Sequence, residues 1–391
     1  MNKKDLKVAL VHDFLNQYGG AERVLEVLCE IFPEAPIYTL LYDKEAMKDK
    51  FIDKEIHPSF LQKLPGIFRR RFKIFLPFLP TAPETFDLRD YDLVISSSGA
   101  WTKGVVTKLD TVHIAYIHSP MRFVWDYNEK YLKEERKNKL AFFIRPVLSY
   151  LRLWDKLASD RPDYLIANSR YTQARIKKYY RRDSRVIYPP VFLPSLPTSL
   201  PKGERGNGNP PLLFGEDARR AGEGYFLIVS RLSPYKKIDR AIEAFNKLEL
   251  PLVIVGVGKQ EKYLKRIAKD NIKFLGYQKD EDLAKIYENA RAFVFPGVDD
   301  FGMAPVEAMM HGVPVIAVKE GGAVEIIEEG RTGEFAQSQK VEVIADAVRR
   351  FCENEKNYDK EYIKSSVEKF NKERFKEELE MLINNVIKIN D

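Results

Sequence analysis

Cysteine and long apolar runs are both scarce in this chain of 391 residues. Its two cysteines, Cys29 and Cys352, lie far apart and form neither a disulfide framework nor a metal-ligand spacing. No stretch reaches the roughly 18–20 consecutive apolar residues that a membrane-spanning helix needs. The first residues lead directly into a strand pattern, without the apolar segment of a signal peptide. These absences predict a reducing, cytoplasmic setting.

What the chain has in excess is positive charge. A net charge of +7 and a pI near 9.0 favour an anionic partner, which could be a nucleotide sugar, an anionic membrane or a nucleic acid. The length exceeds the roughly 250–300 residues at which a single hydrophobic core stops growing, so we expect two domains or more.

Strand and helix patterns alternate in two blocks, residues 1–192 and residues 225–370. In the second block, apolar strand patterns are separated by single helix patterns, which is typical of right-handed βαβ units in a parallel sheet. Residues 193–224 are rich in proline, glycine and charge and are predicted to form a flexible linker. We therefore predict an α/β fold with two doubly wound, Rossmann-like domains, and a last helix within 371–391.

The loop after the fourth strand of the second block carries the most informative pattern. It places Asp299, the amides of Phe301, Gly302 and Met303, and the start of a helix at one point. Free amides and a helix dipole favour an anion, and a nearby carboxylate can accept hydrogen bonds from hydroxyl groups. Glu307 is predicted to lie on the first helical turn and to face the same point. The competing interpretation is a crossover whose acidic side chains are simply solvated.

Two cations follow the first strand of the second block, Arg231 and Lys236. Their charges at a strand end suit a leaving diphosphate, although arginine and lysine are also common in surface turns. The next two strands end at the turn that holds Gly258 and at the pair Gly276 and Tyr277. The turn at Gly258 lacks the complete dinucleotide fingerprint and its acidic partner.

In the first block, Gly19 and Gly20 stand between a predicted strand and a predicted helix. Such a turn can bring backbone amides towards a phosphate or a sugar, but it is weak evidence by itself. His118 lies just past a strand, where open α/β sheets place their ligands. The other four histidines are interpreted as structural: His12, His57, His113 and His311.

The loop that begins at Asp299 resembles the Glu-x7-Glu signature of the retaining glycosyltransferases with the GT-B fold, family 4. Aspartate replaces the first glutamate, and the remainder matches through Glu307-Ala-Met and Gly312-Val-Pro-Val-Ile316. The run from His118 to Asp126 resembles the acceptor-side loop of mannosyltransferases of this family that act on lipid-linked saccharides. The resemblance implies two domains that face a central cleft, with the last helix crossing back to the N-terminal domain.

The resemblance also implies a role for each candidate residue. The catalytic set would be His118, Arg231, Lys236 and Asp299. The donor would be bound by Gly19, Gly20, Gly258, Gly276, Tyr277, Phe301, Gly302, Met303 and Glu307. The acceptor side would be formed by Arg122, Trp125 and Asp126.

The implied reaction moves a hexose, foremost mannose from GDP-mannose, to a lipid-linked or saccharide acceptor for surface polysaccharide or glycolipid synthesis. The leaving phosphate would deprotonate the acceptor, so no carboxylate pair of the glycosidase kind is needed. No Asp-x-Asp motif stands near a strand end, so we expect neither a metal nor another cofactor. A UDP-sugar-dependent transferase with a soluble acceptor, a sugar-nucleotide epimerase, and a non-catalytic nucleotide- or polyanion-binding protein remain as alternatives.

The stretch Phe68–Phe75 combines arginines and a lysine with phenylalanines. This composition predicts contact with an anionic membrane, and hence a peripheral position on the inner face of the cell membrane. The alternative is a helix that packs on its domain with solvated arginines. Residues 132–160 are predicted to form an amphipathic helix that either extends this surface or lies in the core. Nucleic acid is not expected, because no recognised nucleic-acid module accompanies the basic residues.

Overall fold

The computed structural model describes residues 6–47, 50–65, 76–129, 141–192 and 224–390. The chain divides into two compact units, one formed by Met1–Pro190 with Lys372–Asp391 and the other by Val191–Asn371. The basic stretch Phe68–Phe75 and nearly all of the predicted linker lie outside the described residues.

The first unit is built on a parallel sheet of seven strands in the order β3-β2-β1-β4-β5-β6-β7. The strands are β1 Val8–Leu15, β2 Ile37–Tyr42, β3 Ile56–Pro58, β4 Leu93–Ser98, β5 Val112–Ile117, β6 Tyr164–Ala167 and β7 Arg185–Val186. Its α-helices are Gly20–Ile31, Lys44–Met47, Thr81–Glu84, Ala141–Ala158, Arg170–Tyr180 and Lys372–Asn390. The central strands are buried along nearly their whole length, as expected of a parallel sheet covered on both faces.

The helix Lys372–Asn390 belongs to the first unit although it is the last element of the chain. Phe375, Leu379 and Ile383 recur every four residues, so they share one face, and each is at most 1% exposed. On the solvent side, Lys372 pairs with Glu30 of the helix Gly20–Ile31. The apolar period thus explains why this segment folds back onto the first sheet.

The second unit has a parallel sheet of six strands in the order β10-β9-β8-β11-β12-β13. The strands are β8 Tyr225–Val229, β9 Leu252–Val255, β10 Ile272–Gly276, β11 Ala290–Phe295, β12 Val315–Val318 and β13 Gly333–Ala336. Its α-helices are Ile238–Leu248, Glu261–Ile267, Asp280–Glu288, Met303–Met310, Ala323–Ile326, Val341–Asn354 and Lys360–Ser366. Short 3-10 turns connect several of these elements.

The predicted fold class is confirmed, because both units are doubly wound parallel sheets with helices in the crossovers. In each unit the strand order reverses once, between β1 and β4 in the first and between β8 and β11 in the second. Ligands of open α/β sheets bind beyond the carboxyl ends of the strands at such a reversal. The topology therefore indicates one candidate position in each unit.

Candidate functional site

In the second unit, the candidate residues stand at the carboxyl ends of neighbouring strands. Arg231 and Lys236 follow β8, and the loop that starts at Asp299 follows β11. Since β8 and β11 are adjacent and parallel, the two loops meet at the reversal of strand order. The sequence pattern and the sheet topology thus indicate the same place.

Lys236 and Asp299 form an ion pair across this reversal. The Lys236 side chain is 14% exposed and that of Asp299 is 21% exposed, so water screens the pair only in part. Burial, the largest single influence, acts to lower the pKa of Lys236. The charge of Asp299, its hydrogen bond and the nearby Tyr235 together outweigh burial and raise this pKa above its ordinary value. Lys236 is therefore a fixed cation.

Arg231 lies beside this pair and is exposed. Its Nη2 donates a hydrogen bond of 3.1 Å to the Tyr235 hydroxyl, and Lys236 Nζ lies 5.2 Å from the centre of the same ring. Both cations thus contact the same tyrosine. An oxyanion that enters here can meet both cations.

The helix Met303–Met310 begins where the loop after Asp299 ends. Gly302 caps it with φ of 100°, a backbone conformation that side-chain-bearing residues rarely adopt. The helix starts two residues earlier than Pro305, so Glu307 is its fifth residue. The prediction that Glu307 lies on the first turn was therefore wrong.

Glu307 is nonetheless buried at this end of the sheet, with 9% exposure. It accepts a 3.2 Å hydrogen bond from the hydroxyl of Tyr287, whose ring stacks on His311 at 5.3 Å. Sequence reasoning missed Tyr287, because no motif marks it and its position depends on the helix that precedes β11. Phe301 is also buried, and its ring meets the edge of Phe370 at 5.2 Å.

A pair of glycines after β12, Gly321 and Gly322, was also missed. A Cβ on Gly322 would stand 2.2 Å from the carbonyl oxygen of Phe301, so only glycine allows the two loops to pack this closely. The Gly322 amide donates a 3.0 Å hydrogen bond to the carbonyl oxygen of Asp299. The Gly-Gly sequence just after an apolar strand was the available signal.

The other predicted donor residues of the second unit lie at neighbouring strand ends. Gly258 follows β9 and is exposed, and Gly276 ends β10. Tyr277 comes next and is 64% exposed. The structure thus brings these residues to the same edge of the sheet as Lys236 and Asp299.

In the first unit, Asp13 near the end of β1 organises the loop after β4. Its carboxylate accepts hydrogen bonds of 2.6–3.0 Å from four consecutive backbone amides, those of Gly99, Ala100, Trp101 and Thr102. The Thr102 hydroxyl donates a fifth bond of 2.8 Å. β1 continues to Leu15, past Asp13, which is anchored in this way.

His118 lies at the end of β5, next to β4. Its Nε2 is 2.8 Å from the hydroxyl oxygen of Ser97. Burial, with nearby His12 as a smaller cause, lowers the pKa of His118 to about 4. The ring is therefore neutral at physiological pH.

Gly19 and Gly20 lie where β1 gives way to the first long helix, as the spacing predicted. Gly19 is the residue before the helix Gly20–Ile31 and has an extended backbone with φ of −163°. A Cβ on Gly19 would lie 3.3 Å from a carboxylate oxygen of Glu22. The small residue therefore leaves room for the Glu22 side chain beneath the turn.

The three predicted acceptor-side residues follow His118 within ten positions. Trp125 donates a 2.7 Å hydrogen bond to Asp155 and stacks on Tyr179 at 4.8 Å. Asp126 pairs with the buried Arg175 at 3.0 Å. Trp125 and Asp126 thus anchor the loop that holds the third residue, Arg122, which is half-buried.

Arg175 was not singled out in the sequence. Besides Asp126, its guanidinium donates a 2.8 Å hydrogen bond to the hydroxyl of Ser119 and a 3.3 Å bond to the carbonyl oxygen of Pro120. A single buried cation therefore holds both ends of the loop that follows His118.

Across the described ranges, no group of three or more histidine, cysteine or acidic side chains could hold a metal ion. In the same ranges no helix is both long enough and apolar enough to cross a bilayer.

Comparison with known families covers most of the chain in two segments. Residues 18–193 match the model described as Glycosyltransferase Family 4, and residues 213–369 match the model described as Glycosyl transferases group 1. The two segments correspond closely to the two units of the structure.

Two relatives of higher identity match shorter segments. A probable sucrose-phosphate synthase of Thermosipho melanesiensis is 32% identical over 172 residues, which is 40% of each chain. A GDP-mannose-dependent alpha-mannosyltransferase of Corynebacterium glutamicum is 37% identical over 106 residues, covering 27% of this chain and 25% of the relative. The chain thus aligns with less than half of the length of either relative.

Similarity of fold extends over nearly the whole chain. The crystal structure of Anabaena HepE in complex with UDP matches 97% of this chain and 100% of that protein, with a TM-score of 0.66 and 17% identity. At this identity the match establishes a common fold.

Proposed function

Because the chain belongs to the GT-B glycosyltransferases, with a family 4 segment followed by a group 1 segment, we propose that it is a retaining hexosyltransferase. The leading donor is GDP-mannose, and the acceptor is a lipid-linked or saccharide molecule of cell-surface polysaccharide or glycolipid synthesis. The segment shared with the GDP-mannose-dependent alpha-mannosyltransferase of Corynebacterium glutamicum supports this donor.

The observation that carries the proposal is the Lys236–Asp299 pair at the reversal of strand order in the second unit. Lys236 and the exposed Arg231 supply two positive charges for the diphosphate of the donor. As the glycosidic bond breaks, negative charge grows on this diphosphate, and fixed cations stabilise such charge without having to reorganise. Asp299 and the amides that open the helix Met303–Met310 then remain for the sugar.

Glu307 is proposed to accept hydrogen bonds from the ribose hydroxyls of the donor. Its carboxylate is already oriented by the hydroxyl of Tyr287, so little side-chain freedom would be lost on binding. In the first unit, His118 is proposed to lie beside the transferred sugar, and the loop through Asp126 to face the acceptor.

Retention follows if the leaving phosphate accepts the proton of the attacking hydroxyl on the same face of the sugar. The new glycosidic bond then forms on the side from which the nucleoside diphosphate departs. The step needs no second carboxylate of the glycosidase kind.

A lipid-linked acceptor would require the protein to meet a membrane. We propose that the stretch Phe68–Phe75 provides this contact, which would place the protein peripherally on the inner face of the cell membrane. Its composition supports the proposal, since arginines meet anionic headgroups while phenylalanines enter the acyl boundary.

A second candidate is a UDP-sugar-dependent transferase with a soluble acceptor. The common fold with HepE, whose structure contains UDP, favours testing it. The two candidates share the same diphosphate-binding residues and differ in the base and the acceptor.

The deciding experiment measures release of nucleoside diphosphate from GDP-, UDP- and ADP-sugars, with and without a membrane lipid extract. Arg231→Ala is compared with wild type and with Arg240→Ala, which removes an exposed arginine that pairs with Glu243 on its own helix, Ile238–Leu248. We expect GDP-mannose turnover that lipid stimulates. Arg231→Ala should lower kcat/KM about 10- to 100-fold, the effect of one lost charged hydrogen bond, whereas Arg240→Ala should not.

Turnover of another donor would replace the mannose assignment and leave the site in place. Absence of turnover and of binding for every donor would overturn the enzymatic proposal. Equal losses in the two arginine variants would remove Arg231 from the diphosphate site.

A further inference from the structure

A chain of hydrogen bonds runs from the first helix to His118. A carboxylate oxygen of Glu22 lies 3.4 Å from His12 Nε2, and His12 Nδ1 lies 3.1 Å from the hydroxyl oxygen of Ser97. The same hydroxyl oxygen lies 2.8 Å from His118 Nε2. The four residues come from the helix Gly20–Ile31, β1, β4 and the end of β5, which meet at the reversal of strand order in the first unit.

The first three members of this chain are buried. Glu22 is 6% exposed, His12 is 1% exposed and Ser97 is fully buried. Buried polar groups that lose their water partners must find protein partners, so the direction of each hydrogen bond here is constrained by the others.

Glu22 determines which atom donates in each hydrogen bond of this chain. Burial, the largest single influence, acts to raise the pKa of Glu22. The hydrogen bond from His12, together with the backbone amide of Glu22 and the nearby imidazoles, outweighs burial and leaves this pKa below its ordinary value. The carboxylate is therefore ionised at neutral pH and can only accept. His12 must then donate from Nε2. A neutral imidazole carries a single proton, so in that form His12 Nδ1 accepts the proton of the Ser97 hydroxyl.

The Ser97 hydroxyl donates its only proton to His12. Its oxygen can therefore only accept a hydrogen bond from His118. His118 must therefore carry its proton on Nε2, and the lone pair is left on Nδ1. Within the described part of the chain, no protein group forms a hydrogen bond with that Nδ1. Asp13 is nearby, but its oxygens accept from the loop 99–102 and do not enter the chain.

We propose that Glu22, His12 and Ser97 are positioning residues that hold His118 in its Nε2–H tautomer. In this tautomer Nδ1 is a hydrogen-bond acceptor for a hydroxyl group of the transferred hexose. The second part of the proposal rests on the proposed function, whereas the first concerns the protein alone.

The tautomer can be observed directly in the full-length protein by 15N-detected NMR of the imidazole side chains at pH 8. The chain has five histidines, and His118→Gln identifies the signals of His118. We expect a protonated Nε2 and an unprotonated Nδ1. A protonated Nδ1 would overturn the proposal, whether or not the protein turns over any donor.

Two variants test whether the chain of hydrogen bonds is the cause. In Glu22→Gln the carboxamide can donate as well as accept, so it no longer fixes which atoms of His12 and Ser97 donate. His118 should then become a mixture of tautomers. Ser97→Ala removes the bond to His118 and should have the same effect. An unchanged His118 tautomer in both variants would overturn the positioning role.

The matched control is Ser96→Ala. Ser96 forms an equally short bond of 2.8 Å to His113 Nε2, on the same two strands and fully buried, but outside the chain that leads to His118. This variant should leave the His118 signals unchanged, so a shift in Ser96→Ala as large as that in Ser97→Ala would indicate a general disturbance of the sheet.

Kinetics then tests the role in sugar binding. Loss of one hydrogen bond to the hexose should lower kcat/KM for the sugar donor about 3- to 10-fold in Ser97→Ala and Glu22→Gln. Affinity for the nucleoside diphosphate alone should not change, because it lacks the sugar. Ser97→Thr, which keeps the hydroxyl, should restore most of the rate.

A parallel loss of affinity for the nucleoside diphosphate, or no effect on sugar-donor kinetics, would overturn the sugar contact. The NMR result would stand in either case, so failure of the sugar contact is distinguishable from failure of the tautomer.

Discussion

At the scale of single residues, Lys236 and Asp299 stabilise each other's charge. Asp299 helps to hold the lysine protonated against the effect of burial, and the lysine neutralises the charge of the carboxylate. The aspartate is one methylene shorter than the glutamate of the resembling signature, yet it reaches Lys236. In this position the shorter side chain is therefore sufficient for the pair.

Asp299→Asn should make activity more sensitive to alkaline pH. In the wild type the pKa of Lys236 lies above its ordinary value, so the lysine is charged throughout the neutral and mildly alkaline range. Asparagine removes the opposing charge but leaves the burial, so this pKa falls. The alkaline decline of kcat/KM should move to lower pH by about one unit or more.

The measurement is a pH profile of kcat/KM for Asp299→Asn beside Asp299→Glu, which keeps the charge and should keep the wild-type alkaline limb. Identical profiles in all three proteins would mean that Asp299 does not control the protonation of Lys236.

The sequence predicted which residues stand at the strand ends of the candidate site but not their hydrogen-bond partners. Arg231, Lys236, Asp299 and Gly302 stand in local patterns that strand and helix periodicity places at one edge of a sheet. His12 was interpreted as structural, because its partner Ser97 lies 85 positions away on another strand. Such pairs depend on strand order and register, which local periodicity does not contain.

Among the elements of the first unit, the helix Ala141–Ala158 is held in place by a buried ion pair. Lys103 Nζ lies 2.5 Å from Asp155, and both side chains are at most 1% exposed. Asp155 also accepts hydrogen bonds from Trp125 and Tyr180, at 2.7 Å and 2.9 Å. This carboxylate therefore connects the helix, the loop after His118 and the helix Arg170–Tyr180.

Asp155→Ala should lower the free energy of unfolding by about 3–5 kcal/mol, because it leaves Lys103 as an unpaired buried charge. The matched control is Lys156→Ala, at the next position in the chain. Lys156 pairs with Asp160 at 2.5 Å near the solvent. Lys156→Ala should cost at most about 1 kcal/mol.

Urea unfolding followed by tryptophan fluorescence measures both variants, since Trp125 and Trp154 lie beside the buried pair. Similar small losses would show that the buried pair contributes no more than the surface pair.

Element by element, the sequence predicted most of the strands and missed two short ones, β3 and β13. β3 and β13 have three and four residues, and β13 begins with glycine, so neither gives a periodic signal. The helix Met303–Met310 starts before Pro305, because Gly302 with its positive φ is the true cap. The stretch Phe68–Phe75 lies outside the described residues, so its membrane contact stays a prediction.

At the scale of the whole molecule, the first unit is completed by the end of the chain. Phe375 is fully buried, and its ring lies 5.8 Å from that of Tyr116 on β5. Phe375→Ala should destabilise the first unit by about 3–5 kcal/mol through loss of buried surface and the cavity left behind.

Hydrogen exchange with mass spectrometry tests the location of this effect. Exchange should rise in peptides from β1 to β6 and stay unchanged in those from β8 to β13. Met381→Ala, on the same helix but 55% exposed, serves as the control and should change neither set. Faster exchange confined to the second sheet would contradict this assignment of the last helix.

The positive charge of the molecule is also divided unevenly. Residues 1–190 contain 33 lysines and arginines against 24 aspartates and glutamates, a net charge of +9, so the remainder of the chain is slightly acidic. Attraction to an anionic surface would therefore act mainly on the first unit.

The two parallel sheets have similar topology, yet the Asp13 side chain makes them differ as potential phosphate-binding sites. Four successive amides in a loop at the end of a parallel strand resemble the cradles that bind phosphate in many enzymes. In the first unit the Asp13 carboxylate already occupies such a loop and accepts hydrogen bonds from five donors. A phosphate at this loop would have to displace the Asp13 carboxylate from all five donors. A side chain of the protein itself therefore closes the amide loop of the first unit to phosphate.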